Sequence, residues 1–233
     1  MEAVSVLHMK TSFYPRAGKR CFDFVGASFG LLLISPFLVL VAVAVKLSSR
    51  GPIFFRQVRV GQFGRPFRIL KFRSMRMGAE PGSQLTASGD PRITRFGAWL
   101  RRTKIDELPQ LFNVVRGEMS LVGPRPEVPE FVSRYTLVER GVLETRPGIT
   151  GPSANLYEEE LLVGCENKEE FYLTTVMPKK LEVDLAYCQN ITFRTDLYVL
   201  RQTFAKLLMR VYEPYKRVPH AVGAPIEIQA GKK

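Results

Sequence analysis

The chain has 233 residues, with 34 Lys and Arg against 22 Asp and Glu, a formal net charge of +12 and a sequence pI near 9.8. Wholesale disorder is excluded, because 45% hydrophobic and 11% aromatic residues suffice for a packed core, and the length suits one substantial domain or one domain with an appendage. The widely spaced Cys21, Cys165 and Cys188 form neither a disulfide framework nor a CxxC zinc site, and histidines only at positions 8 and 220 argue against a Ser-His-Asp triad or a multi-histidine metal centre.

From Phe24 to Val45 the sequence FVGASFGLLLISPFLVLVAVAV carries no charge. As one helix it would be about 33 Å long, close to the thickness of a bilayer's hydrocarbon core, so a membrane segment is expected. A cleaved signal peptide fits poorly, since the apolar run is too long and Lys46 follows it. Pro36, near the middle, removes a backbone donor, so a kink or break is expected there, and each half alone is too short to span. Lys10, Arg16, Lys19 and Arg20 precede the run, while Lys46, Arg50, Arg56 and Arg59 follow it, which leaves no positive-inside bias. Two readings remain open on the residues alone. In one, a re-entrant helix turns at Ser35-Pro36 and keeps both basic flanks on the cytoplasmic face, the Ser35 hydroxyl serving a carbonyl freed by the proline. In the other, a Pro-kinked helix spans.

Beyond Arg50 the pattern is that of a mixed soluble domain. Pro52 to Val60 and Pro66 to Met75 are rich in strand formers and are separated by Gly61-Gln62-Phe63-Gly64, which predicts a hairpin. Gly78 to Pro91 reads as a loop. Helical spacing follows in Ile93, Phe96 and Leu100, then in Leu108, Leu111, Phe112 and Val115, with Gly117 as the stop. Val128, Phe131, Val132 and Tyr135 predict another helix after the Gly123-Pro124-Arg125-Pro126 turn. Leu197, Leu200, Phe204, Leu207 and Leu208 predict the last.

Between Arg50 and Arg116 lie fourteen basic and only four acidic residues. Such a concentration suits anionic lipid headgroups, a phosphate-binding site, or both beside a membrane anchor. Nucleic acid is disfavoured, because no zinc finger, basic zipper or RNP-type pattern accompanies the charge. Within this stretch Arg101, Arg102 and Lys104 precede the adjacent carboxylates Asp106 and Glu107. Asp106 as a helix N-cap, Glu107 as a first-turn acid and Pro109 as a first-turn proline would explain the pattern structurally. A carboxylate ringed by bases can also act as a nucleophile on phosphorus or as a magnesium ligand. No GxxxxGK[ST], GxGxxG or HExxH occurs, which disfavours a simple NTPase or a dinucleotide oxidoreductase.

Five segments occur in a telling order: Lys71-Phe72-Arg73-Ser74-Met75, Asp90-Pro91-Arg92-Ile93-Thr94, Asp106 to Val114 (DELPQLFNV), Met119 to Pro126 (MSLVGPRP) and Arg146 to Gly151 (RPGITG). Together they resemble the bacterial sugar transferase family, the monotopic polyprenyl-phosphate phosphoglycosyl transferases that begin capsule, exopolysaccharide, O-antigen and glycoprotein glycan assembly. The resemblance covers roughly Lys19 to Met209, and the Ser35-Pro36 pair matches the family's re-entrant helix. It implies that Asp106 attacks the β-phosphorus of a UDP-sugar, expels UMP and forms a phosphosugar-aspartyl intermediate that polyprenyl phosphate, such as undecaprenyl phosphate, intercepts. It implies Glu107 as the dyad partner, Lys71, Arg73, Arg101, Arg125 and Arg146 as phosphate-binding residues, and Mg2+ held by Asp106 and Glu107. Phosphoryl transfer by positioning and charge neutralisation needs no histidine, in keeping with the composition. One stretch departs: many members carry a Trp-Ala-Gln-Val-Asn-Gly-Arg-like segment after Thr150-Gly151, where this chain has Pro152 to Tyr157 followed by Glu158, Glu159 and Glu160. Asp184 and Tyr187 resume a family-like pattern.

The expected architecture is α+β, a monotopic membrane protein at the cytoplasmic face of a bacterial inner membrane. Residues 1–50 would hold the re-entrant helix, 51–211 the cytoplasmic catalytic domain of helices and a small sheet, and 212–233 a tail. UDP-sugar, polyprenyl phosphate and membrane lipid are the expected partners, and a homodimer is left open. The rival function is a membrane-anchored basic adaptor that binds anionic lipid or nucleic acid without catalysis.

Overall fold

The computed structural model describes residues 14–76, 90–155 and 167–212. The expected 78–91 loop up to residue 89, the acidic triplet at 158–160 and the tail beyond 212 lie outside the described residues. Mixed helices and two small sheets make the architecture α+β.

A π-helical turn, Tyr14–Gly18, leads into helix α1, Lys19–Ser48. Among the described residues α1 is the one helix long and apolar enough to cross a membrane by length and composition. The break expected at Ser35-Pro36 is not found: the helix runs on through Pro36 without interruption. Pro36 has no N–H for the Leu32 carbonyl, and the Ser35 hydroxyl donates to that oxygen at 2.9 Å instead. Freed carbonyl and substitute donor therefore sit in one turn, which is how the helix tolerates its proline.

One face of α1 is buried along the rest of the chain, with Ala27 and Val45 fully enclosed, while Leu32, Leu33, Leu40 and Leu47 are 69–82% exposed. Both ends are tied to the same body. At the start, Lys19 Nζ meets Asp196 at 2.5 Å, Arg20 donates to the Val114 and Val115 carbonyls, and Asp23 accepts from the Leu121 N–H. At the finish, the Arg73 guanidinium donates to the Val45, Ser49 and Pro52 carbonyls, and Val41 and Val45 pack with Phe72 and Leu100.

Strands β1, Phe54–Val60, and β2, Pro66–Phe72, form the expected antiparallel hairpin, Phe54 opposite Phe72 and Val60 opposite Pro66. Its 3₁₀ turn, Gln62–Gly64, holds Phe63 at φ 57°. Helix α2, Arg95–Arg102, is capped by Thr94, whose hydroxyl accepts from the Gly97 N–H. A 3₁₀ turn, Ile105–Glu107, precedes helix α3, Gln110–Arg116, which stops at Gly117 with φ 85°, a value glycine reaches without strain. Strands β3, Ser120–Val122, and β4, Gly148–Thr150, pair in parallel as a second sheet absent from the sequence reading.

The stripe from Val128 to Tyr135 is buried as expected, yet only one turn, α4 (Pro129–Val132), is helical. After α5, Lys168–Phe171, a π-helical turn, Tyr172–Val176, leads into α6, Met177–Gln189. The final helix, α7, spans Phe193–Tyr212. The largest buried cluster joins Val60 and α4 to Tyr172, Val176, Met177 and Leu181.

Candidate active site

Three elements converge on the paired carboxylates. β2 delivers Lys71 near its end, and the turn after α2 delivers Asp106 and Glu107. The loop that follows β3 delivers Arg125. Lys104 takes a left-handed conformation, φ 58°, at the corner between α2 and the 3₁₀ turn, so the chain reverses sharply before the carboxylates. Asn113 ties α3 to β2, accepting from the Leu70 N–H at 3.1 Å and donating to the Arg68 carbonyl at 2.8 Å.

The loop bearing Arg125 approaches β4 too closely for side chains. A Cβ on Gly123 would lie 2.4 Å from the Arg146 carbonyl oxygen, and one on Gly148 would lie 2.1 Å from the Gly123 nitrogen. Only glycine at both positions lets the Gly148 N–H reach the Pro124 carbonyl at 2.9 Å, which explains the glycines of MSLVGPRP and RPGITG as one contact. On its far side the loop is held by Arg59, which donates to the Pro126 carbonyl and faces Glu127 at 3.7 Å. Glu127 in turn accepts from Lys180 at 2.7 Å and from the Tyr172 hydroxyl at 2.5 Å.

Glu107 Oε1 receives both Lys71 Nζ, at 2.8 Å, and Arg125 Nη2, at 3.2 Å. Burial raises the Glu107 carboxyl, but Lys71, Arg125 and Lys104 together hold it well below the ordinary carboxylate range. Lys71 is itself lowered by burial, against the pull of Glu107. Asp106 behaves in the opposite way. Burial and the adjacent Glu107 charge push it up to about 6, against Lys71, Lys104 and Arg101. Its Oδ1 is buried and has no hydrogen-bond partner. A capping role is thereby overturned: Asp106 lies inside the 3₁₀ turn, the residue before that turn is Lys104, and α3 follows Pro109.

Of the residues singled out in the sequence, Asp106, Glu107, Lys71 and Arg125 meet, and Arg101 acts on Asp106 electrostatically. Arg73 and Arg146 are placed elsewhere. Arg73 is 4% exposed and spends its guanidinium on the carbonyl end of α1, while Arg146 Nε donates to the Gly117 carbonyl beyond α3. Ser35 and Pro36 lie on α1, in the helix bond already described. Asp184 accepts from the Ser153 hydroxyl at 2.8 Å, with burial pushing it up to about 6, and Tyr187 donates to Asp196 at 2.5 Å. Gln110 was not singled out by sequence, though it is 2% exposed and its Nε2 lacks a hydrogen-bond partner. Among the described residues no group of three or more His, Cys, Asp or Glu could hold a metal ion.

The family model described as "Bacterial sugar transferase" matches residues 14–210. A UDP-glucose:undecaprenyl-phosphate glucose-1-phosphate transferase of Caulobacter vibrioides is 39% identical over 202 residues, covering 82% of this chain and 69% of that protein. The Escherichia coli K12 protein of the same name is 40% identical over 193 residues, 81% of this chain and 39% of its own length. An undecaprenyl-phosphate glucose phosphotransferase of Komagataeibacter xylinus is 49% identical over 141 residues, 57% of this chain and 26% of its own length. The chain thus spans well under half of two of these three relatives. With a match over most of its length to that model, the chain belongs to the bacterial sugar transferase family.

Proposed function

We propose that this chain moves a sugar 1-phosphate from a UDP-sugar to a polyprenyl phosphate, undecaprenyl phosphate being the acceptor in its relatives' names. The observation that carries the reading is Asp106 Oδ1, a buried carboxylate oxygen with no partner, held beside three cations. Against the opposing pull of burial and Glu107, Lys71, Lys104 and Arg101 favour the ionised, attacking form of Asp106. Its oxygen attacks the β-phosphorus, the bond from that phosphorus to the bridging oxygen breaks, and UMP departs with the bond's electron pair. The aspartyl phosphosugar is then attacked at phosphorus by a polyprenyl phosphate oxygen, which releases the carboxylate unchanged. Neither attack needs a general base, because both nucleophiles are already anions.

Glu107 does other work. A carboxylate held so far below its usual range is a weak base, and its Oε1 fixes Lys71 and Arg125 where they can receive phosphate oxygens. Magnesium would fit the Asp106 carboxylate through the oxygen that does not attack, since the ion is commonly held by one or two carboxylates together with substrate phosphates. When bound, it supplies charge neutralisation at the diphosphate. Asp106 would hold it; of the expected pair, Glu107 is already engaged by two cations.

In this reading α1 enters one leaflet only and bends about Ser35-Pro36, with both ends and the catalytic domain on the cytoplasmic face of the inner membrane. Support comes from the ties at both ends of α1 to one body, which a spanning helix would have to place on opposite sides. Exposed Leu32, Leu33 and Leu40 on α1, with Phe193, Leu197 and Phe204 on α7, offer apolar surface to lipid, and the basic 50–116 stretch suits anionic headgroups. The reaction would be the first membrane step of a bacterial glycan pathway. It is tested by UMP release from a panel of UDP-sugars with polyprenyl phosphate and magnesium. Incubation with labelled UDP-sugar and no acceptor should label the protein covalently; absence of both signals refutes the reading, and label on Asp106→Asn refutes the nucleophile.

A further inference from the structure

Gln110 is among the most completely buried side chains of the chain, and its Nε2 has no hydrogen-bond partner. Burying an amide donor unpaired is costly, so a site that retains one has a use for it when something else is bound. The position of this donor is informative. Leu108 and Pro109 have helical backbone angles, φ −56° and −61°, and i→i+3 bonds from the Leu108, Leu111 and Phe112 N–H groups join the 3₁₀ turn to α3. Gln110 therefore opens α3 about one turn beyond both carboxylates, three residues after Glu107 and four after Asp106. Asn113, three residues further along α3, bonds to β2, the strand that carries Lys71. At either end of this turn lies a buried polar atom without a partner, an acceptor at Asp106 Oδ1 and a donor at Gln110 Nε2.

Building on the proposed transferase reading, we infer that Gln110 is a substrate-contacting residue: its Nε2 donates a hydrogen bond to a non-bridging oxygen of the phosphoryl group that Asp106 attacks. A neutral amide suits this place. It can steady the charge that builds on that oxygen without competing with Asp106 for the phosphorus, and no protein bond must break first. Lys71 and Arg125, shared with Glu107, would serve the diphosphate by charge, whereas Gln110 would serve one oxygen by direction.

The experiment compares wild type, Gln110→Met and Gln110→Glu by steady-state UMP release and by thermal unfolding in the same detergent. Gln110→Met keeps the volume and removes the donor; Gln110→Glu keeps the shape and puts an acceptor in its place. Loss of one such donor lowers kcat by about 10²–10³-fold where it has been measured in other enzymes, so both variants should lose at least about tenfold in kcat. KM for the UDP-sugar should change by less than about threefold. Gln110→Met should unfold no earlier than wild type, since an unpaired buried donor has been removed. If either variant keeps kcat within threefold of wild type, the inference falls. It also falls if the kcat loss in Gln110→Met comes with a drop in unfolding temperature, which marks a packing role. A wild-type chain that releases no UMP would refute the transferase reading itself, a result distinguishable from active wild type beside active variants.

Discussion

Lys71→Met tests how the carboxylate pair is held. Lys71 Nζ and Glu107 Oε1 are 2.8 Å apart, with side chains 17% and 9% exposed. Unit charges at that distance attract by about 6 kcal/mol at an effective dielectric constant of 20. Methionine recovers part of this, because the desolvation that lowers the Lys71 ammonium is relieved, and Arg125 remains on the same oxygen at 3.2 Å. A net loss of about 3 kcal/mol is expected, at the low end for breaking a buried pair, which for a chain this size is about 6–12 °C in unfolding temperature. UMP release should also fall by at least about tenfold, as a phosphate-facing cation is gone. The decisive comparison is the double variant Lys71→Met/Glu107→Gln, measured by thermal unfolding in detergent. If the penalty comes from a buried carboxylate deprived of its ammonium, removing that charge restores most of the lost stability while activity stays low. A double variant as unstable as Lys71→Met alone would refute the electrostatic argument and leave packing of the lysine stem as the cause.

Asp106→Asn should abolish turnover and leave the unfolding temperature unchanged or raised, since the charge it removes is desolvated and its Oδ1 is unpartnered; a destabilised variant would contradict that geometry. Asp184, pushed up to about 6 by burial, binds its proton more tightly folded than unfolded. Its contribution to stability is therefore full below about pH 4 and lost as pH rises through 6, so the wild-type unfolding temperature should decline between pH 5 and 7 more than that of Asp184→Asn, and parallel profiles would refute this. Arg125→Lys should lower the detergent-phase rate more than about tenfold while Arg56→Lys, at an exposed hairpin position, leaves it unchanged; equal rates would remove Arg125 from the site. In a background lacking the native cysteines, single cysteines placed in the N-terminal segment and in the catalytic domain should be labelled from the same, cytoplasmic side, and labelling from opposite sides would establish a spanning helix.

Much of the fold is legible where a pattern runs long enough to repeat. The β1-β2 hairpin is written as two runs of strand formers around Gly61 and Gly64, and α3 as an apolar stripe closed by Gly117. Three-residue strands leave no such trace. Ser120-Leu121-Val122 and Gly148-Ile149-Thr150 are too short to show a period of two, and their pairing is forced by close approach at Gly123 and Gly148. Helix α6 escapes for a different reason: Lys180 and Asp184 are turned into the core beside Leu181 and Tyr187, so its buried face does not read as apolar. The inward charges are tolerated because Glu127 and Ser153 meet them, partners far away in sequence.

At the site, residue type is legible and direction is not. Lys71 and Arg73 are two apart at the end of β2, where strand periodicity would put both on one face, yet β2 ends at Phe72 and Arg73 is drawn to the free carbonyls that finish α1. The same demand takes Arg146 and Arg20 to the carbonyl end of α3, so three of the basic residues in this charge-rich chain serve helix ends, where positive charge complements the dipole. What singles out the active pair is a difference that adjacent letters cannot carry. Glu107 is saturated by two cations, whereas Asp106, one residue earlier, is left with a buried, unaccompanied oxygen. Two neighbouring carboxylates driven in opposite directions can divide the labour of one reaction, one fixing the cations and the other available to the phosphorus.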